Sequence, residues 1–148
     1  MNAIKVSAAA ITMVCVGVFV ASINQGDATE MVMHKSPNCE CCSDWADHLK
    51  KEGDFTVLEK KHDNMDEIKK TLGMPEKLAS CHTGVIGGYL IEGHVPAADV
   101  TRLLKEKPEL IGLTAPGMPM KSPGMQTVGQ EPKGYDVLAI KKDGSTYV

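Results

Sequence analysis

Apolar positions change their spacing repeatedly along residues 31–58, and each change marks an element. Met31-Val32-Met33-His34 is a short apolar run halted by Ser36-Pro37, which predicts a strand followed by a turn. Trp45 and Leu49 then stand four apart, with Ala46 beside them and charged residues on the other faces, until Gly53 ends the pattern. That spacing predicts an amphipathic helix whose first turn lies at Cys42-Ser43. Phe55-Thr56-Val57-Leu58 predicts a second strand. Asn64 with Glu67 three residues later has the form of a capping box, and Met65, Ile68 and Leu72 give a helical face that Gly73 and Pro75 stop. The run VIGGYLI, residues 85–91, predicts two short strands joined at Gly87-Gly88. Pro96 can open a third helix at its first position, with Val100, Leu103 and Leu104 facing inward and Pro108 closing it.

The order β-α-β-α-β-β-α is that of a thioredoxin or glutaredoxin fold, so the expected class is α/β, thioredoxin-like. Beyond Pro108 the texture changes to glycine, proline and methionine (PGMPMKSPGM, residues 116–125), followed by the apolar run Tyr135–Ile140 and an Asp143-Gly144 turn. A loop and one added C-terminal strand are expected there. No internal repeat is visible.

The N-terminus sets the compartment. Lys5 precedes an apolar run over residues 8–23 that is shorter than the ~20 residues a spanning helix needs, and Gly26-Asp27-Ala28 suits cleavage after Ala28. The expectation is a secretory signal at 1–28 and one mature domain at 29–148, periplasmic and without a membrane span once the signal is removed. The alternative is an uncleaved anchor. Val14 is bulky where lipid attachment at Cys15 would want a small residue. Aromatic residues make up only 4% of the chain, so the core should rest on Val, Ile, Leu and Met. A net charge of −3, with no arginine-rich or aromatic-interleaved stretch, gives no sign of a nucleic-acid partner.

Three of the five cysteines, Cys39, Cys41 and Cys42, fall within four positions at the predicted strand-to-helix turn. A thiol there is acidified by the unpaired N–H groups and partial positive charge of the helix N-terminus. Cys39-x-x-Cys42 has the dithiol spacing of a redox pair. Cys41 is a third thiol that an exchanger has no use for, and three soft ligands at one turn favour metal capture. Cys81-His82 precedes the predicted hairpin, where a thioredoxin-like fold brings a loop against that turn, so Cys39, Cys41, Cys42, Cys81 and His82 are the candidate metal ligands. Thiolates suit Cu(I), and a four-ligand Cys/His set also suits Zn(II). A thiol–disulfide oxidoreductase using Cys39 and Cys42 remains the alternative, and purely structural disulfides are a third reading.

Met118, Met120 and Met125 lie where helical packing does not account for them and form a possible secondary Cu(I) site, since thioether sulfur survives oxidation. Their plainer role is a strap over the core. His94, just before Pro96, is expected to be structural or to support a ligand from behind. His34, His48 and His62 have no i,i+4 partners among them and are expected at the surface.

The phrases HKSPNCECCSDWADHLK, LASCHTGVIGGYLIEGHVPAADVTRLL and PGMPMKSPGM resemble a family of small secreted bacterial proteins of unknown function, described as predicted metal-binding proteins and linked to copper resistance. The resemblance covers nearly all of residues 31–140. It implies a thioredoxin-like fold, motif cysteines at Cys39, Cys42 and Cys81 with His82 beside the last, and a Cys-x-Cys-Cys turn that includes Cys41. The expected function is a periplasmic protein that holds Cu(I) for buffering, resistance or transfer. A periplasmic copper oxidase or efflux system would then be its protein partner.

Overall fold

The computed structural model describes residues 29–126, 129–130 and 132–148. The expected signal segment, residues 1–28, lies outside them. The elements are β1 (Thr29–Lys35), α1 (Glu40–Glu52), β2 (Phe55–Lys61), α2 (Met65–Leu72), a short 3-10 turn (Glu76–Leu78), β3 (His82–Ile86), β4 (Tyr89–Gly93), α3 (Ala97–Glu106), β5 (Leu110–Ala115), β6 (Leu138–Lys141) and β7 (Thr146–Tyr147). They form a mixed α/β structure whose seven-stranded sheet runs β2-β1-β3-β4-β5-β6-β7. β1 is parallel to β2 and β4 to β5, because each pair is joined through a helix; the remaining pairs are antiparallel.

The element order predicted through α3 is present, with shifts at the ends. Helix α1 starts at Glu40, so Cys39 is its cap residue and both Cys41 and Cys42 lie in its first turn. Pro96 caps α3 and does not open it. The capping box at α2 forms as expected, the Asn64 side chain accepting from the Glu67 N–H at 3.2 Å. Beyond Pro108 the expected added strand is present as β6, but the expectation of no others is corrected: β5 extends the sheet beside β4, and after the Asp143-Gly144 turn the chain returns as β7. The sheet is therefore larger than the simple thioredoxin layout.

Side chains alternate across a strand, so β1 sorts its residues to two faces. Met31 and Met33 are fully buried in one apolar cluster with Trp45, Ala46 and Leu49 of α1 and Val100 and Leu103 of α3. The indole N–H of Trp45 donates to the Val95 carbonyl at 2.8 Å, and the Ala97 N–H at the start of α3 donates to His48 Nε2 at 3.1 Å. These contacts lock α1 to α3 above one face. Helix α2 covers part of the other, where Lys69 is buried against Thr83 and Glu92.

Candidate metal centre

The Ser36-Pro37 break turns the chain out of β1 and delivers Cys39 to the head of α1, where the first-turn N–H groups lack intrahelical partners. Cys39 and Cys42 are joined by a disulfide with Cα atoms 5.4 Å apart, and Cys41 and Cys81 are free. Cys41 Sγ lies 3.6 Å from Cys39 Sγ. The four sulfurs of Cys39, Cys41, Cys42 and Cys81 all lie within 4.8 Å of one another, whereas His82, also expected at the turn cysteines, meets only Cys81 of this group. Cys81 comes from the residue before β3, some forty positions along the chain, and the pairing of β1 with β3 carries it to the turn.

Cys81 also belongs to a second donor group, with His82 and His94, again within 4.8 Å. Its sulfur is 3.2 Å from His82 Nδ1 and 3.1 Å from His94 Nε2. His94 Nδ1 faces the Pro123 carbonyl at 2.7 Å. A carbonyl only accepts, so Nδ1 carries the ring proton and Nε2 presents a lone pair to the sulfur. Both imidazoles are fully buried, and His82 Nε2 has no hydrogen-bond partner among the described residues. The ring of His82 packs against Trp45 with centroids 4.3 Å apart.

Electrostatics favour the neutral forms of Cys81, His82 and His94. Burial, reinforced by the neighbouring Cys41 thiol, pushes the Cys81 thiol up to about 12. Burial, followed by the proximity of His94 and Lys69, holds His82 well below the ordinary imidazole value, and burial lowers His94 as well. Neutral imidazoles are ready to coordinate, whereas Cys81 must first release its proton. The donors fit a soft ion: sulfur from four cysteines, two of them freed only on reduction, and nitrogen from two histidines.

Residues 116–126 form a strap across the head of α1. Besides the Pro123–His94 contact, the Ser80 hydroxyl donates to the Gly117 carbonyl. Gly124, at φ +81°, lies so close to α1 that an added Cβ would sit 2.7 Å from the Trp45 amide nitrogen and 3.0 Å from the Cys41 carbonyl. Met118 and Met120 on this strap are 55% and 73% exposed, while Met125 is half-buried. The expected strap is present, with two thioethers turned to solvent.

Sequence reasoning undervalued His94, which touches Cys81 directly. The signal available was a histidine ending the hairpin of which Cys81 marks the approach. Nor are the other three histidines plain surface residues. His34 Nδ1 and His62 Nε2 lie 2.9 Å apart with their rings stacked, and half-buried His48 accepts from the first turn of α3. Helical i,i+4 spacing was the wrong test, since these contacts join separate elements.

Fold and site together define a mixed α/β protein with a cysteine- and histidine-lined centre of soft donors. Residues 78–125, which carry Cys81, His82, His94 and the strap methionines, match the family described as "Protein of unknown function, DUF411". Two solved structures, titled "Copper resistance protein copG- Form 2" and "Copper resistance protein copG- Form 1", are each 40% identical to the chain and superpose with a TM-score of 0.73. The matches cover 80% and 81% of this chain and 94% of each of theirs. The chain belongs to this family of copper-resistance-associated proteins. No curated protein matches it.

Proposed function

We propose that this chain is an exported, thioredoxin-like copper-binding protein that holds Cu(I) in the periplasm for buffering, resistance or transfer. Cys39, Cys41, Cys42 and Cys81 supply the thiolates, and His82 and His94 supply the imidazoles. The observation that carries the reading is the sharing of Cys81: one thiol serves both a four-sulfur group and a sulfur–imidazole group. A thiolate offers more than one lone pair, so Cys81 is suited to hold the two groups together. The β1-α1-β2-α2-β3-β4-α3 order supports the thioredoxin-like assignment, and the apolar run before Ala28 supports export. Delivery to a copper oxidase or efflux system is the corresponding role in a cell.

Loading requires reduction of the Cys39–Cys42 disulfide if all four sulfurs are to coordinate. The test is Cu(I) titration of the reduced protein against a competing chelator, with Zn(II) present in a parallel arm. Trp45 is the chain's sole tryptophan and touches His82, so its fluorescence should respond as metal enters. Tight Cu(I) binding that Cys81→Ser removes supports the assignment. Equal affinity in wild type and Cys81→Ser rejects it, and Zn(II) displacing Cu(I) would change the metal.

The disulfide at the head of α1 favours one second reading, thiol–disulfide exchange with Cys39 attacking and Cys42 resolving. Reduction of a model disulfide by wild type and Cys41→Ser, but not by Cys42→Ser, would establish that activity. Absence of turnover in wild type removes it.

A further inference from the structure

His34 and His62 form a pair that the cysteine centre does not use. In the β1–β3 register Lys35 stands opposite His82 and His34 opposite Thr83. His82 packs on Trp45 of α1, whereas the Thr83 hydroxyl accepts from Lys69 of α2. Strand alternation therefore sends His34 to the face opposite the cysteine centre. β2 is one edge strand of the sheet, and His62 directly follows its last residue. The His62 backbone N–H is tied to the Lys35 carbonyl at 2.9 Å, which fixes the two histidines side by side.

We propose that His34 and His62 form a second metal site, a two-imidazole clamp for a divalent transition-metal ion such as Cu(II). Their facing nitrogens are 2.9 Å apart, centroids 5.0 Å, rings inclined by only 19°. That spacing suits two nitrogens bound at adjacent positions of one ion with bonds of ~2.0–2.1 Å. Without metal, one ring donates its N–H to the other's lone pair. On binding, that proton moves to the far nitrogen of its own ring, so both lone pairs face the ion and neutral imidazoles lose no net proton. Both residues are half-buried at the sheet edge, and Leu58 on the same face is 50% exposed, so solvent reaches the site and can complete the coordination.

Imidazole with water or carboxylate oxygen suits Cu(II) and Zn(II), and Cu(II) binds such donors more tightly. Lys60 stands opposite His34 in the β1–β2 register. Its charge opposes protonation of His34 but also repels a cation, which leaves the site to ions with the strongest affinity for nitrogen. The clamp shares no residue with the cysteine centre, and its assignment does not rest on that centre's metal.

The test uses the Cys41→Ser/Cys81→Ser protein with the Cys39–Cys42 disulfide intact, so no free thiol among the described residues competes. Cu(II) is titrated against a competing chelator and followed by electron paramagnetic resonance; Zn(II) is titrated separately. One equivalent of Cu(II) with nitrogen hyperfine structure is expected. His34→Gln and His62→Gln should each weaken it by more than the ~10-fold that loss of a supporting residue costs, and His94→Gln should leave it unchanged. No binding in the parent, full affinity in either clamp variant, or loss with His94→Gln would each overturn the proposal. If a clamp variant does not fold, the imidazole NMR signals of His34 and His62 in the parent decide: Zn(II) must shift both.

Discussion

His94 joins the strap to the centre: its Nδ1 donates to the Pro123 carbonyl at 2.7 Å while its Nε2 faces the Cys81 sulfur at 3.1 Å. Strap seating thus orients a donor nitrogen. Next to Pro123, Gly124 combines a positive φ with a gap too small for a Cβ. Gly124→Ala should lift the strap and leave the distant sheet strands folded. Cu(I) affinity should fall by ~10-fold or more, as when a ligand's supporting partner is lost, and residues 116–126 should become sensitive to limited proteolysis. Unchanged affinity together with unchanged proteolysis would show that the strap is not coupled to the centre.

The buried Lys69–Glu92 pair supports the centre from the other face. Lys69 Nζ lies 2.5 Å from Glu92 Oε1, the Thr83 hydroxyl donates to Oε2 at 2.6 Å, and the Ser80 N–H, one residue before Cys81, donates to Oε1 at 2.5 Å. Removing either charge leaves the other buried without its partner. Glu92→Leu and Lys69→Met should each cost about 3–5 kcal/mol, and the double variant less than their sum. Urea unfolding of the four proteins measures the cycle. Simple additivity would mean that the two charges stabilise the fold independently.

The metal-free protein should lose stability in mild acid. His82, His94, His34 and His48 all have lowered values, with burial the largest cause for each. A base held below its unfolded value takes up fewer protons folded than unfolded, so stability is complete above the ordinary value of 6.5 and declines as pH falls below it. Chemical unfolding between pH 7.5 and pH 5 should show a steadily falling midpoint. A flat profile across this window would contradict the neutral placement of these partly or fully buried rings.

Thioether and thiolate copper should separate by oxidation state. Met118 and Met120 face solvent and carry no proton to lose, so any Cu(I) they hold should be weak, nearly independent of pH and retained after thiol oxidation. The Met118→Leu/Met120→Leu/Met125→Leu variant should keep the tight site of the reduced protein. If that variant loses tight Cu(I) while Cys81→Ser keeps it, the strap is the principal site.

Much of the scaffold was legible because its signals are local. Asn64 and Glu67 cap α2, Gly87-Gly88 turns the hairpin, and Trp45 with Leu49 marks the buried stripe of α1. Strand β5 was missed because Gly112 interrupts its apolar run. Here glycine is required, since a Cβ would sit 1.8 Å from the Leu90 carbonyl oxygen of the neighbouring strand. The convergence of Cys81 on the cysteine turn was also legible, through the element order. The role of His94 was not, because it depends on a carbonyl twenty-nine residues away. The His34–His62 contact likewise appears only when β1 and β2 are set in register.

Because Cys81 belongs to both donor groups, oxidation trims the centre without dismantling it. Closing the Cys39–Cys42 disulfide withdraws two sulfurs, yet Cys81 remains beside Cys41, His82 and His94. The surviving set is richer in nitrogen and therefore harder in its chemical preference. If the centre holds copper as proposed, one scaffold would present two grades of ligand field, selected by the redox state of a single bond at the head of α1. Copper held at Cys81 would then meet a changed set of donors when that bond opens or closes.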